Sequence, residues 1–315
     1  MNTAINMQNQ SIALSISPSL AKNVRRNIKE RLIEFILMLA ALSAVFTTFA
    51  IVAILLYESL GFFKVVSLVE FFTATEWTPL FEDAHYGIMP LVSGTLTTSA
   101  VALAVAVPVG TIGAIYLSEF ASHKVREIVK PMLELLVGVP TIAFGYFALL
   151  FVTPLLQKIF PELPGFNMLG AGIVMGVMIV PYIASVAEDA MRAVPMSMRE
   201  GSYAMGATRF QTALRVVTPA AVSGIVAAYI LAISRAVGET MVVAVAAGQQ
   251  PTLTFNPMEG AATITAYIVQ VAMGDLPHGS IGYQSIFAAG LVLFVLTLVF
   301  NIIGHVVRKK YREQY

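Results

Sequence analysis

An all-α integral membrane protein with six transmembrane helices is predicted by three observations. The chain of 315 residues is 57% hydrophobic and only 12% charged, with a mean hydropathy of +0.80. Ordinary soluble domains carry about twice that share of charge. Six apolar runs are each long enough for a hydrocarbon core, which takes about 20 helical residues to cross. Threading those runs alternately through a bilayer puts sixteen of the 19 Lys and Arg on one side.

The runs cover residues 32–57, 91–118, 132–157, 169–187, 220–248 and 282–307. Helices are the default spanning element because each satisfies its own backbone hydrogen bonds. The short alternating segments of a membrane barrel are absent. The cations divide unevenly between the connectors. Lys22, Arg25, Arg26, Lys29 and Arg31 precede the first run, and Lys124, Arg126 and Lys130 follow the second. Arg192, Arg199, Arg209 and Arg215 follow the fourth, and Arg308, Lys309, Lys310 and Arg312 follow the sixth. Only Lys64 and Lys158 fall on the other side, and Arg235 lies within a run. By the positive-inside rule both termini are cytoplasmic. The first run is too long for a signal-peptide core and lacks a small-residue cleavage site, so it reads as a retained anchor. Residues 1–20 are polar, and mobility is expected there. The absence of cysteine excludes disulfides and thiolate chemistry without choosing a compartment.

Two of the outside connectors in this threading carry further signals. Residues 58–90 hold Glu58, Glu70, Glu76, Glu82, Asp83 and Trp77, the only tryptophan. They form either an interfacial cap, with Trp77 at headgroup level, or a docking surface for an external partner. Residues 249–281 contain ATITAYIVQVAMGD, amphipathic and too short to span, which predicts an interfacial or re-entrant helix. Pro108, Gly110, Gly138, Pro140, Gly145 and Pro181 punctuate the spans and favour kinks.

The fifth run holds two ionised groups, Arg235 and Glu239, in GIVAAYILAISRAVGETMVVAVAAG. Residues four apart share a face of a continuous helix, so these side chains are expected to meet. An Arg at the centre of a membrane helix costs about 2.5–3.5 kcal/mol on insertion scales. Such a charge persists where a partner, a wet cavity or an anionic substrate compensates it. The two readings are a self-neutralising structural bridge and a substrate-pathway site, in which the Arg fork receives an oxyanion and Glu239 moderates its affinity.

Other polar groups have blander readings. Ser93, Thr95, Thr97, Thr98 and Ser99 could donate to an oxyanion, but bonding back to their own helix is favoured. Glu134 is expected to pair with Lys130 or to snorkel, and Glu188 with Arg192 to form a simple surface pair. His85, His123, His278 and His305 offer no metal-ligand spacing, and no Ser-His-Asp arrangement is indicated. No G-x-x-x-x-G-K-S/T loop is present for ATP hydrolysis. Neither catalytic nor metal-binding residues are expected on this chain.

The inside connector AEDAMRAVPMSMREGSYAMGATRFQTALRVVTPAA carries the sharpest local pattern. Ser197 to Glu200 and Thr208 to Gln211 each have the form of a capping box. Gly206 between them suits the left-handed residue that ends a helix, and Pro219 suits the first turn of the next span. Two short helices joined by a tight turn at Gly206 are predicted. The spacing resembles the EAA loop of ABC-importer permeases: Glu200 and Gly206 match, Val216 takes the Ile position and Pro219 matches. Gly201 and Ser202 replace the two alanines, where close packing is expected, and Thr218 replaces the leucine.

From about residue 85 to 310 the chain resembles the membrane subunits of the Pst phosphate importer, the PstC type in particular. The resemblance rests on GIMPLVSGTLTTSAVALAVAVPVGTIGAIYLSEF, ELLVGVPTIAFGYFAL, PYIASVAEDAMRAVP, EGSYAMGATRFQTALRVVTPAA, ISRAVGETMVV and the final IFAAGLVLFVLTLVFNIIGH. It implies an ABC type I importer permease fold in a bacterial inner membrane. Its parts would be a cytoplasmic tail at 1–31, a first helix at 32–57 and a periplasmic segment at 58–90. A five-helix core at 91–307, with the coupling loop at 188–219, and a tail at 308–315 would complete it. Partners would be a PstA-like permease, two PstB-like ATPase subunits holding ATP and Mg, and a PstS-like phosphate-binding protein, with no nucleic acid. No cofactor is expected on this chain. Arg235 and Glu239 would line the phosphate pathway, and Glu200, Gly206, Ala207, Arg209 and Pro219 would couple it to the ATPase. An ABC permease for molybdate or sulfate, a secondary anion transporter and a membrane scaffold are the competing readings.

Overall fold

The computed structural model describes residues 2–79, 81, 83–274 and 276–310, with side chains from Lys29 onward. Glu82 and Arg312, which entered the charge pattern, lie outside the described residues. The chain divides into two compact units, Met1–Tyr57 and Glu58–Tyr315. The first consists of a helix, α1 (Asn2–Phe63), which continues to Phe63. The polar segment expected to be mobile is the beginning of this helix. Its apolar side chains, Phe46 and Phe49 among them, are exposed, as suits a surface solvated by lipid.

In the second unit a short α2 (Leu68–Thr73) leads into α3 (Met89–Phe120), α4 (His123–Val137), α5 (Thr141–Gln157) and α6 (Met168–Arg192). Then come α7 (Met196–Ala204), α8 (Arg209–Ala220), α9 (Val222–Val237), α10 (Met241–Ala246), α11 (Ile264–Ala272) and α12 (Ile281–Lys310). Among the described residues the only extended pairing is a bridge between Trp77 and Tyr86.

Four helices are long and apolar enough to cross a membrane unbroken: α1 from Lys29, α3, α6 and α12. The predicted spans 132–157 and 220–248 are not single helices. The first bends by 88° between α4 and α5, and the second begins at a 73° bend between α8 and α9. Pro140 accounts for the first bend, because it disfavours helical geometry at Val139 and supplies no amide. Within α5 and α8 the helix loosens into π turns at Ala148–Val152 and Ala213–Val217. Each ends two residues before a proline, Pro154 or Pro219. The longer hydrogen-bonded ring accommodates a residue that has no amide and whose ring crowds the preceding turn. Pro219 therefore sits late in α8 rather than at the start of a span.

The centre of the bundle is α6, packed against α3. Gly172 and Gly176 lie one turn apart on α6, and a Cβ at either would run into Val101, Val105 or the backbone of α3. Lipid is as apolar as a leucine side chain, so such a contact is held by close backbone approach rather than by water exclusion. Ala102, Ala106, Val174, Met175, Met178, Ile179 and Ala236 fill this core. A second cluster gathers Phe62, Phe71, Trp77, Tyr86 and Tyr267 in edge-to-face contacts. Trp77 is only 1% exposed, so it anchors this cluster instead of floating at headgroup level.

The segment read as interfacial or re-entrant is α11. Its Ile264, Tyr267 and Val271 are buried, and the Tyr267 hydroxyl lies 2.6 Å from Ser285 Oγ on α12. It is an internal element of the bundle. Gly94 on α3 makes room for the strand of chain leading into it, since a Cβ there would collide with the Ala262 carbonyl.

Candidate functional site

The fifth apolar run does not keep Arg235 and Glu239 on one helix. α9 ends at Val237, and the Gly238 amide bonds back to Ser234 and Ala236. Glu239 and Thr240 are non-helical, and α10 restarts at Met241. Loss of the helical repeat removes the expected i,i+4 contact. No ion pair joins the two residues. Glu239 is buried, and its Oε1 accepts from the Met241 amide at 3.2 Å, capping α10. Its carbonyl accepts from Thr265 Oγ1 at 2.6 Å.

Hydroxyls surround the break. Thr98 Oγ1 donates to Gly94 O and Ser93 Oγ to Pro90 O, both within α3, as expected for Ser and Thr in membrane helices. Thr95 does more: it donates to Leu91 O and accepts from the Ile264 amide, so it caps α11 across the bundle. Thr263 Oγ1 lies 3.1 Å from Thr265 Oγ1. Thr95, Thr98, Ser99, Glu239, Thr263 and Thr265 thus line, with Met175 and Val243, a narrow pocket with no room for a water molecule.

Arg235 is half-buried, and its Cζ lies 5.3 Å from the centroid of the Tyr182 ring on α6. This is a cation–π distance. Its Nε is buried without a hydrogen-bond partner. A guanidinium donor inside an apolar bundle is costly when unpaired. Arg235 is therefore not half of a bridge to Glu239, because the helix between them is broken. The sequence signal for this was the order Gly238 then Thr240, a helix stop followed by a helix start.

The connector forms the predicted pair of short helices. Gly206 has φ +81°, and α8 begins with a capping box between Thr208 and Gln211. The Ser197 box does not form, because Pro195 starts α7 and places Ser197 inside the helix. Ser202 Oγ lies 2.8 Å from the buried Thr212 Oγ1, tying α7 to α8. A Cβ at Gly201 would meet nothing within 4 Å, so the expected close packing is absent at that position. Glu200 and Arg209 are exposed, and so are Met205 at 89% and Phe210 at 62%. The Ala207 amide closes the turn onto Ser202 O. The surroundings of Gly206 are open, so replacing it by Val acts only through the left-handed backbone, at about 1–3 kcal/mol. The Gly206→Val protein is expected to reach the membrane normally yet lose ATP-driven transport, read as uptake per assembled complex.

Two ionic clusters near this connector were not legible as such. Arg199 is buried and forks onto Glu119 at the end of α3, through Nη2 to Oε1 at 2.8 Å and Nε to Oε2 at 3.3 Å. Its Nη1 and Nη2 also donate to the carbonyls of Val194 and Met191. Glu188, expected in a surface pair with Arg192, is 1% exposed. Lys130 bonds it at 2.8 Å, while Arg126 and Arg192 stand off at 3.8 and 3.7 Å. Lys130 also holds Asp189, so it is not the partner of Glu134. Far from this connector in sequence, hydrogen bonds from Thr254 and Asn256 hold the exposed Glu259 carboxyl below the usual carboxylate range.

Residues 106–313 match the family described as binding-protein-dependent transport system inner membrane component. The chain belongs to this family. It is a permease subunit of an ABC importer rather than an enzyme. The permease is 33% identical to the probable ABC transporter permease protein YqgH of Bacillus subtilis, over 94% of this chain and 95% of that one. It is 34% identical to the phosphate transport system permease protein PstC 1 of Mycobacterium tuberculosis, over 78% and 82%. Its fold is that of a chain in a bacterial alginate ABC transporter, with TM-score 0.60 at 19% identity over 89% and 96% of the two chains. The MetNI methionine ABC transporter gives TM-score 0.53 at 20% identity, over 72% and 95%.

Proposed function

We propose that this permease forms, with a PstA-like subunit, the path by which inorganic phosphate enters the cytoplasm. The observation that carries the reading is Arg235: a half-buried guanidinium with an unpaired Nε, two residues before the end of α9. α9 follows α8 directly, and α8 begins at the Gly206 turn. A push on the connector therefore reaches the helix that bears the receptor. Relatives named as phosphate transport permeases support phosphate as the anion.

In this reading the arginine-rich end is cytoplasmic, by the positive-inside rule. Glu200, Gly206, Ala207, Arg209 and Pro219 form the element that docks on one of two PstB-like ATPases, which hold ATP and Mg. The exposed Met205 and Phe210 supply its apolar contact. A PstS-like protein delivers phosphate at the opposite face. Arg235 receives the anion through charge-assisted hydrogen bonds. Glu239, fixed at the cap of α10, keeps a negative charge close by in sequence, which disfavours permanent retention. The narrow pocket around Glu239, too small for water, is the constricted part of the path.

The test is purification of the tagged permease followed by reconstitution. A second permease and an ATPase are expected to copurify, and ATP-dependent phosphate uptake is expected to resist competition by sulfate or molybdate. Uptake driven by an ion gradient without ATP would place the protein among secondary transporters. Equal competition by molybdate would make it an oxyanion permease of another specificity.

A further inference from the structure

A cleft of about 350 Å³ opens beside the Gly206 connector, lined by Arg126, Arg192, Arg199 and Arg209 with Glu119 and Tyr203. The four arginines come from α4, the last turn of α6, α7 and the start of α8. The negative charge in the lining is already committed, because both oxygens of Glu119 are held by Arg199. Arg199 spends further donors on two backbone carbonyls. Behind the cleft, Arg126 and Arg192 face the same Glu188 oxygen at 3.8 and 3.7 Å, and that oxygen has no hydrogen bond. Arg209 has no carboxylate partner among the described residues. Three guanidinium groups on separate elements thus keep free donors around one concave space.

We infer that this cleft is a binding site for a phosphate group, distinct from the transport path, which fastens the connector to the bundle and slows coupling. Guanidinium forks match the several oxygens of a tetrahedral phosphate, and the excess of positive charge favours a multiply charged anion. A phosphate bridging Arg209 to Arg126 and Arg192 would resist displacement of α8 relative to α4 and α6. The inference rests on the cytoplasmic orientation and ATPase docking proposed above. The same chemistry is offered by inorganic phosphate on the cytoplasmic side, the product of import, and by the headgroup of an anionic lipid.

The experiment uses the complete importer in vesicles with the ATPase facing outward, and reads ATP hydrolysis stimulated by loaded binding protein. In phosphatidylcholine vesicles, added inorganic phosphate is expected to slow the wild type several-fold and to affect Arg126→Gln and Arg192→Gln much less. If the lipid is the source, phosphatidylglycerol slows the wild type and the variants lose that dependence. Hydrolysis that responds to neither anion, or responds equally in wild type and variants, overturns the inference. Binding of radiolabelled phosphate to the solubilised complex without binding protein gives a readout independent of coupling. For the free-phosphate source, a site is expected that persists in Arg235→Lys and weakens roughly tenfold in Arg209→Gln. For the lipid source, labelled phosphate is expected to bind this site only after delipidation. A site lost in Arg235→Lys and unchanged by Arg209→Gln, before and after delipidation, would leave the transport path intact and remove the cleft.

Discussion

Arg199→Ala is expected to deplete the folded permease from the membrane. The substitution leaves Glu119, 6% exposed, as a buried charge without its partner. Breaking a buried ion pair from one side costs about 3–5 kcal/mol. It also strips a donor from the carbonyls of Val194 and Met191, the latter keeping the Val194 amide, and a buried acceptor left unsatisfied costs about 1–3 kcal/mol. These costs overlap rather than add, yet either end of the range is a large share of a domain stability of about 5–15 kcal/mol. Glu119→Ala is expected to do nearly the same harm, because it leaves the guanidinium unpaired. The double variant Arg199→Met with Glu119→Leu removes both charges and is expected to be more stable than either single one. Membrane abundance and thermal stability of the solubilised complex read all three. Normal stability of both single variants would show that the pair is not a strut between α3, α6 and α7.

The location of that pair shows where sequence reasoning runs out. Arg199 stands beside Glu200 in a charged connector, and nothing local distinguishes the buried residue from the exposed one. Its partner, Glu119, is 80 positions away, so no periodicity links them. Glu188 misleads for the related reason that i,i+4 spacing to Arg192 is satisfied while two cations from α4 converge on the same carboxylate. Composition and charge bias are different in kind. A bilayer demands about 20 apolar residues per helix, so the long runs reveal themselves without tertiary knowledge. The Gly206 turn is also legible, because a left-handed residue followed by a Thr208 to Gln211 capping box is a local requirement.

The broken spans lie between these extremes. Gly138 to Pro140 and Gly238 to Thr240 carry the signals of a helix end, but both sit inside runs whose hydropathy argues for continuity. Membrane helices tolerate interruption where neighbours complete the backbone hydrogen bonds. Here Thr265 supplies the bond to the Glu239 carbonyl, and Glu239 itself caps α10. Thr265 comes from α11, which hydropathy treats as a connector. Reading Arg235 and Glu239 as a bridge therefore assumed a helix that tertiary contacts dismantle.

In the proposed path Arg235 receives the transported anion and Glu239 controls its hold. Arg235→Lys keeps the positive charge but loses the planar fork and its stacking on Tyr182. Glu239→Gln keeps an oxygen that can accept from the Met241 amide, so the break between α9 and α10 is preserved while the charge is removed. Fold and charge are thereby separated. The decisive measurement is ATP-dependent uptake of radiolabelled phosphate by each variant in reconstituted importer, normalised to assembled complex. Uptake is expected to fall more than roughly tenfold for Arg235→Lys, a loss of over 1.4 kcal/mol of transition-state stabilisation, and to fall clearly for Glu239→Gln with assembly intact in both. Normal uptake by both variants, or loss of assembly in place of loss of uptake, would contradict the account.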